Sequence, residues 1–202
     1  MILLTVGKVA LVTSIAIPFL YLLHSRLAGR WLAIEAYPLL LYMSGAFLVM
    51  AIMEAALGYM HTEALGWRLW EYRILPNHHG YGTDLGPITW PWYGFHLYLL
   101  DQVLRIRRLH ARGPVVRGGM TGLDGPLLEI LGNGLFLLIF GQYVFYYFPG
   151  DLGHLTSLLV IPHYALAGMV LYFIVRALRD APKSWSLPPA LYFTGVCFVV
   201  VG

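Results

Sequence analysis

A chain of 202 residues that is 59% hydrophobic and 11% charged, with a net charge of +3, has a mean hydropathy of +0.69. That composition excludes a soluble domain, which must cover itself with polar side chains. The small basic excess sits at the flanks of apolar runs, so it speaks for membrane topology and not for nucleic acid.

The fold class that remains is all-α: a polytopic integral membrane helical bundle forming one domain over residues 1–202. A helix needs about 20 apolar residues to cross roughly 30 Å of hydrocarbon. Five stretches satisfy this in the sequence: Ile2–Leu23, Ala36–Met60, Pro87–Leu104, Pro126–Phe148 and Ser157–Leu178. A short sixth, Pro189–Gly202, is expected to follow.

The first run lacks a basic leader and a small-residue cleavage site in "HSRLAGR", so it is expected to be a retained span. The second carries Glu54 near one end. The connection from His61 to Phe95 is too long for a plain turn and concentrates His61, His78, His79, Trp67, Trp70, Trp90 and Trp92. Long ordered connections commonly carry function. Within it, Trp67, Trp70, Glu71 and Ile74 recur at helical spacing, which predicts an interfacial helix over Gly66–Leu75. Trp67 and Trp70 would then form an aromatic belt, or roof a cavity and bind what enters it. His78 and His79 are adjacent and point different ways, as a solvated pair does, and not as two ligands of one metal. The segments "WEY" and "LGP" resemble the outer loop of carotenoid-modifying membrane hydratases and cyclases. These residue types are common, and the resemblance assigns no family.

The third run holds Pro91 and His96, and its Asp101 lies one helical turn before Arg105, a spacing that pairs them. "RIRRLHARGPVVRGGMTGLDGP" reads as a long inner loop, with Asp124, Pro126 and Glu129 marking the start of the next helix. In the fourth run Asn133 is expected to hydrogen-bond a neighbouring helix. Its far end, "QYVFYYF", would line a pocket mouth with Gln142, Tyr143, Tyr146 and Tyr147. The fifth carries Pro162 and His163, and "RDAPKSWSLPP" is a connector stopped and restarted by proline. Cys197, the single cysteine, excludes an internal disulfide and a thiolate cluster and is expected to pack as a small hydrophobe.

Basic residues fix the expected orientation. Arg26 and Arg30 follow the first run, Arg105, Arg107, Arg108, Arg112 and Arg117 the third, and Arg176, Arg179 and Lys183 the fifth, against Arg68 and Arg73 on the other side. The N-terminus and residues 61–86 and 149–156 are thereby extracytoplasmic.

At about 1.5 Å per residue, Glu54, His96, Gln142 and His163 fall within roughly 5 Å of one depth. Each would cost about 2.5 kcal/mol or more against lipid, so all four should turn inward to a shared pocket in the outer half of the membrane. Pro91 and Pro162 would bend their helices beside it. Three functions suit such a pocket. The first is a membrane enzyme, an isomerase, hydratase or cyclase, working by acid-base chemistry on a lipophilic, isoprenoid-like molecule, with Glu54 as proton donor, a neutral imidazole of His96 or His163 as acceptor, and no cofactor required. The second is a noncatalytic subunit of a homo-oligomer or larger membrane complex that binds pigment, lipid or a partner helix. The third is a b-type haem or divalent-metal protein ligated by His96 and His163.

Overall fold

The computed structural model describes residues 2–109, 113–180 and 182–201. His110 and Arg112, and the side chains of His78 and Arg179, lie outside the described part. The chain is mostly helical. Among the described residues, four helices are long and apolar enough to cross a membrane, Ile2–Ala28, Ala36–Ala64, Gly113–Phe140 and Leu158–Leu178.

The elements are α1 (Ile2–Ala28), α2 (Ala36–Tyr59, extended by a π-helical turn, Met60–Ala64), α3 (Gly86–Ile106), α4 (Gly113–Phe140), α5 (Ile161–Asp180, entered through a 3-10 turn) and α6 (Leu187–Val201). α1 packs on α3 and α4, α3 on α2, α2 on α5, and α5 on α4, so five helices close a ring. α6 lies outside it, against α2 and α3. Because α3 has α1, α2 and α6 as neighbours, it can carry Tyr93, His96 and Asp101 on buried positions. Protein, and not lipid, surrounds them.

Three sequence expectations are corrected. No interfacial helix forms over Gly66–Leu75. Instead Trp70–Tyr72 is β1, which pairs antiparallel with β4 (Phe145–Tyr147), Trp70 opposite Tyr147 and Tyr72 opposite Phe145. A second small ladder joins β2 (Asn77–His78) to β3 (Gly82–Thr83). The inner loop expected over Arg105–Pro126 is largely helix, since α4 starts at Gly113 and runs through Pro126. Pro162 stands in the first turn of α5 and does not interrupt a span, a place where its missing N–H breaks no helical bond.

The reason α4 starts early is packing. Gly118, Gly122 and Gly125 recur on one helical face, and a Cβ on any of them would press on α5: on the Ala165 carbonyl oxygen, the Ile161 carbonyl oxygen and the Tyr164 ring respectively. Close approach of the two backbones outweighs the poor helix propensity of glycine. Gly118→Ala should therefore cost about 1–3 kcal/mol through overpacking against an immobile carbonyl, whereas Gly119, with nothing within 4 Å of its added Cβ, should tolerate alanine. Thermal unfolding of the two purified variants separates these outcomes.

Near the C-terminal end of α3 the one-turn pairing expected from sequence forms. Arg105 Nε donates to Asp101 at 2.7 Å, and Arg117 pairs with the other carboxylate oxygen. Cys197, by contrast, is exposed on the outer face of α6 and is not packed inside.

Candidate functional site

The paired strands cap one end of the helical ring, and their alternation decides what meets the interior. Side chains of a strand point to opposite faces in turn. Trp70 and Tyr72 of β1 and Phe145 and Tyr147 of β4 face one small cavity of about 50 Å³. Glu71 and Tyr146 face away, Glu71 to Arg73 at 3.2 Å and Tyr146 onto the His154 ring at 4.2 Å.

Beneath this sheet lie two buried carboxyl groups. Glu54, from α2, accepts from the Trp90 indole N–H at 2.6 Å, with the Tyr72 hydroxyl and the Thr83 backbone N–H also in hydrogen-bonding reach. Glu129, from α4, accepts from the hydroxyls of Tyr147 and Tyr164, each at 2.8 Å, and from Thr156. Both carboxyls line the same cavity, together with His163. Burial, reinforced by the Glu54 carboxyl, pushes the Tyr72 phenol well above its usual range, and burial beside Glu129 does the same for Tyr147. Both rings therefore remain O–H donors at physiological pH.

A larger cavity of about 200 Å³ adjoins it between α1, α3 and α4. Val9, Val12 and Leu20 form its α1 wall and Leu128 and Phe136 its α4 wall, while Tyr72, Trp90, Glu129 and Tyr164 border both cavities. The larger, apolar cavity thus reaches Glu129, while Glu54 lines the smaller, aromatic-walled cavity beside it. That is the usual make-up of a small-molecule site, mostly apolar with a few placed polar groups.

Of the residues singled out from sequence, Glu54 and His163 do share a cavity. His96 lines the larger one instead, its Nε2 bonded to Asp124 at 2.6 Å. Gln142 is not inside a helix, because α4 ends at Phe140. Trp70 lines the site, but Trp67 stacks edge-on against His61 at 4.4 Å between ring centroids. Tyr143 donates to the Gly153 carbonyl at 3.3 Å in an exposed bond, and Tyr146 faces outward. The two histidines considered as haem or metal ligands have different neighbours: His96 contacts His24 and His163 contacts His61. Among the described residues, no three His, Cys, Asp or Glu side chains gather in a metal-sized group.

Sequence reasoning missed Glu129, Tyr72 and Tyr164 as cavity residues, whereas Tyr147, expected at a pocket mouth, does line the small cavity. The missing signals were local. "WEY" and "FYY" each carry the in-out-in pattern of a strand facing a cavity. Glu129 lies one helical turn beyond Gly125, so the glycine stripe, read as helix, places it on the buried face. No family model, curated protein or solved structure matches the chain.

Proposed function

We propose that the protein is an integral membrane enzyme acting by acid-base chemistry on a lipophilic, isoprenoid-like molecule held in the apolar cavity. The observation that carries this reading is the carboxyl pair, Glu54 and Glu129, brought from two helices to one aromatic-lined cavity. Structural polar groups in a membrane bundle usually hydrogen-bond helix to helix. Each carboxyl makes such a link, Glu54 to Trp90 of α3 and Glu129 to Tyr164 of α5, and what supports a further role is that both also border the same aromatic-lined cavity.

The chemistry follows from the pair. In this reading the two carboxyls carry one proton between them, one serving as acid and the other as base. The residue carrying it, assigned as Glu54, gives H⁺ to one carbon of a substrate double bond: its O–H bond breaks, a C–H bond forms from the π electrons, and the other carbon becomes cationic. The faces of Trp70, Trp90, Tyr72 and Phe145 stabilise that cation. Glu129, presented as a carboxylate by its three hydroxyl donors, removes H⁺ from the adjacent carbon, and that C–H pair becomes the new double bond. The net reaction is an isomerisation, or a cyclisation when an internal double bond captures the cation first. No electron donor or acceptor is needed, and the carboxyl pair returns to its starting state by passing the proton back.

The test is deuterium incorporation. Purified protein in lipid nanodiscs, incubated in D₂O with squalene or farnesol, should place deuterium at carbon in at least one of them, read by mass spectrometry after back-exchange of hydroxyls. Incorporation no greater than in empty nanodiscs for both probes would sink the reading.

The membrane arrangement belongs to the same proposal. α3 crosses as a fifth span, α6 is a short sixth, and the N-terminus and the strand cap are extracytoplasmic, as supported by Arg26, Arg30, Arg105, Arg107 and Lys183 lying at the opposite end. In a Cys197→Ser background, an impermeant maleimide should label Leu65→Cys in intact cells and Lys183→Cys only after permeabilisation. The reverse pattern would invert the topology.

A further inference from the structure

A third cavity lies at the end of the bundle away from the strand cap. It encloses about 110 Å³ between the C-terminal part of α3, the first turns of α4 and the C-terminal part of α5, and it shares no lining residue with the two cavities described above. One water needs roughly 10–15 Å³ of such space, so the cavity has room for a polyatomic group.

Its charge is one-sided. Each of the three helices brings one arginine to the wall, Arg105, Arg117 and Arg176, and among the described lining residues the one carboxylate is that of Asp101. Asp101 is 5% exposed and is shared: Arg105 Nε donates to one of its oxygens at 2.7 Å, and Arg117 pairs with the other. Arg176 Nη1 donates to the Tyr172 hydroxyl at 3.4 Å. Three cations against one anion leave an excess of two positive charges around one enclosed space. The preference of basic residues for one side of a membrane accounts for their being at this end. It does not account for their converging, because a side chain that merely seeks water or headgroups turns outward.

The wall also changes character with depth. On α3 the lining residues run Leu97, Leu100, Asp101, Arg105, on α5 they run Leu171, Val175, Arg176, and on α4, whose chain direction is opposite, Arg117 precedes Met120. At 1.5 Å per residue the wall from Leu97 to Arg105 covers about 12 Å, apolar at the deep end and cationic at the other. Guanidinium forks match phosphate oxygens bidentately. A phosphate monoester carries about −1.5 to −2 charges at pH 7, which balances the excess, whereas a carboxylate would balance half of it.

We infer that this cavity binds the phosphate group of a phosphate monoester, with Arg105, Arg117 and Arg176 around its oxygens and Leu97, Leu100, Met120 and Leu171 along any hydrocarbon chain it carries. The assignment is independent of the acid-base reading, since the two sites have no residue in common. The same phosphate chemistry has two sources, a membrane lipid and free phosphate, and the apolar deep end favours the lipid.

Native mass spectrometry of the purified full chain separates these sources. Protein in detergent micelles is equilibrated with equimolar dioleoyl phosphatidic acid and dioleoyl phosphatidylcholine, and in a second arm with inorganic phosphate alone. The wild type should retain phosphatidic acid over phosphatidylcholine by about ten-fold, ~1.4 kcal/mol. Arg176→Gln, which leaves both partners of Asp101 in place, and Arg105→Gln, which leaves it Arg117, should each bring the ratio to about two-fold or less, as expected when one charged donor is removed. Arg26→Gln, exposed and absent from the cavity wall, should leave the ratio unchanged. Retention of inorganic phosphate that both cavity variants lose, with no preference between the lipids, would uphold the phosphate site and assign it to the free ion. Equal retention of both lipids with no bound phosphate would overturn the site. So would a phosphatidic acid preference that survives both cavity variants, or one that Arg26→Gln lowers as much as they do, since the preference would then come from the basic surface at large.

Discussion

Glutamine at position 129 should reduce deuterium incorporation by about 10²–10⁴-fold, the range expected when a positioned general base or acid is removed. Glu129→Gln keeps the size and most of the hydrogen-bonding shape of the side chain but cannot accept a proton from carbon. Its amide group would also meet the hydroxyls of Tyr147, Tyr164 and Thr156, all of which now donate to the carboxylate, and at least one of them must turn. Glu54→Gln should cost a similar factor for the complementary reason, since the amide offers no acidic proton to the double bond. The double variant should be little worse than either single one, because residues that act as a unit lose their effect together. Variants that unfold no earlier than wild type on heating yet keep more than about a tenth of the incorporation rate would remove the carboxyl pair from the mechanism.

The largest effect on stability should come from Asn133. Its side chain, 1% exposed, donates to the carbonyls of Phe145 at 2.8 Å and Leu155 at 3.1 Å and accepts from the Val144 N–H at 2.8 Å. One amide group thereby ties α4 to β4 and to the segment leading into α5. Asn133→Leu leaves three half-buried backbone groups without their partner at about 1 kcal/mol or more each, so a loss of about 3 kcal/mol is expected. Asn133→Asp keeps the acceptor for Val144 and loses both donors, and should fall between. Denaturant titration of the purified variants gives the order. Limited proteolysis should show early cleavage between residues 141 and 156 in Asn133→Leu. Unchanged cleavage there would mean the strand is held by its ring contacts alone.

This residue also shows how far local patterns reach. The expectation from sequence was a polar link between helices, which identifies Asn133 as buried and bonded. Its partners are backbone groups of a strand, and a strand was not foreseen after the fourth apolar run. "FYY" continues that run without a break in hydropathy, so composition extends the helix to Phe148. The helix ends at Phe140 because Gly141 takes φ +67, a backbone conformation in which side chains are strained and glycine is not. Gln142 moves out of the membrane helix for the same reason.

The sequence by itself determined the membrane class, the runs that became α1, α2 and α5, the Asp101–Arg105 pair, and Glu54 and His163 as inward-facing groups. All of these follow from strong, local terms: the cost of polar groups in hydrocarbon, helical periodicity, and one-turn spacing. Only the tertiary structure decided which polar groups meet. Rotation about each helix axis and the choice of neighbour were not legible, since they depend on the glycine face that seats α4 on α5 and on the order of helices around the ring. That is why His96 stands beside Asp124 and His24 instead of His163, and why Glu129, read as a helix cap, became the second carboxyl of the cavity. The strand cap was decided the same way: β1 and β4 are far apart in the chain, and a pairing so distant is fixed by the helices that bring its ends together, not by the short segments that form it.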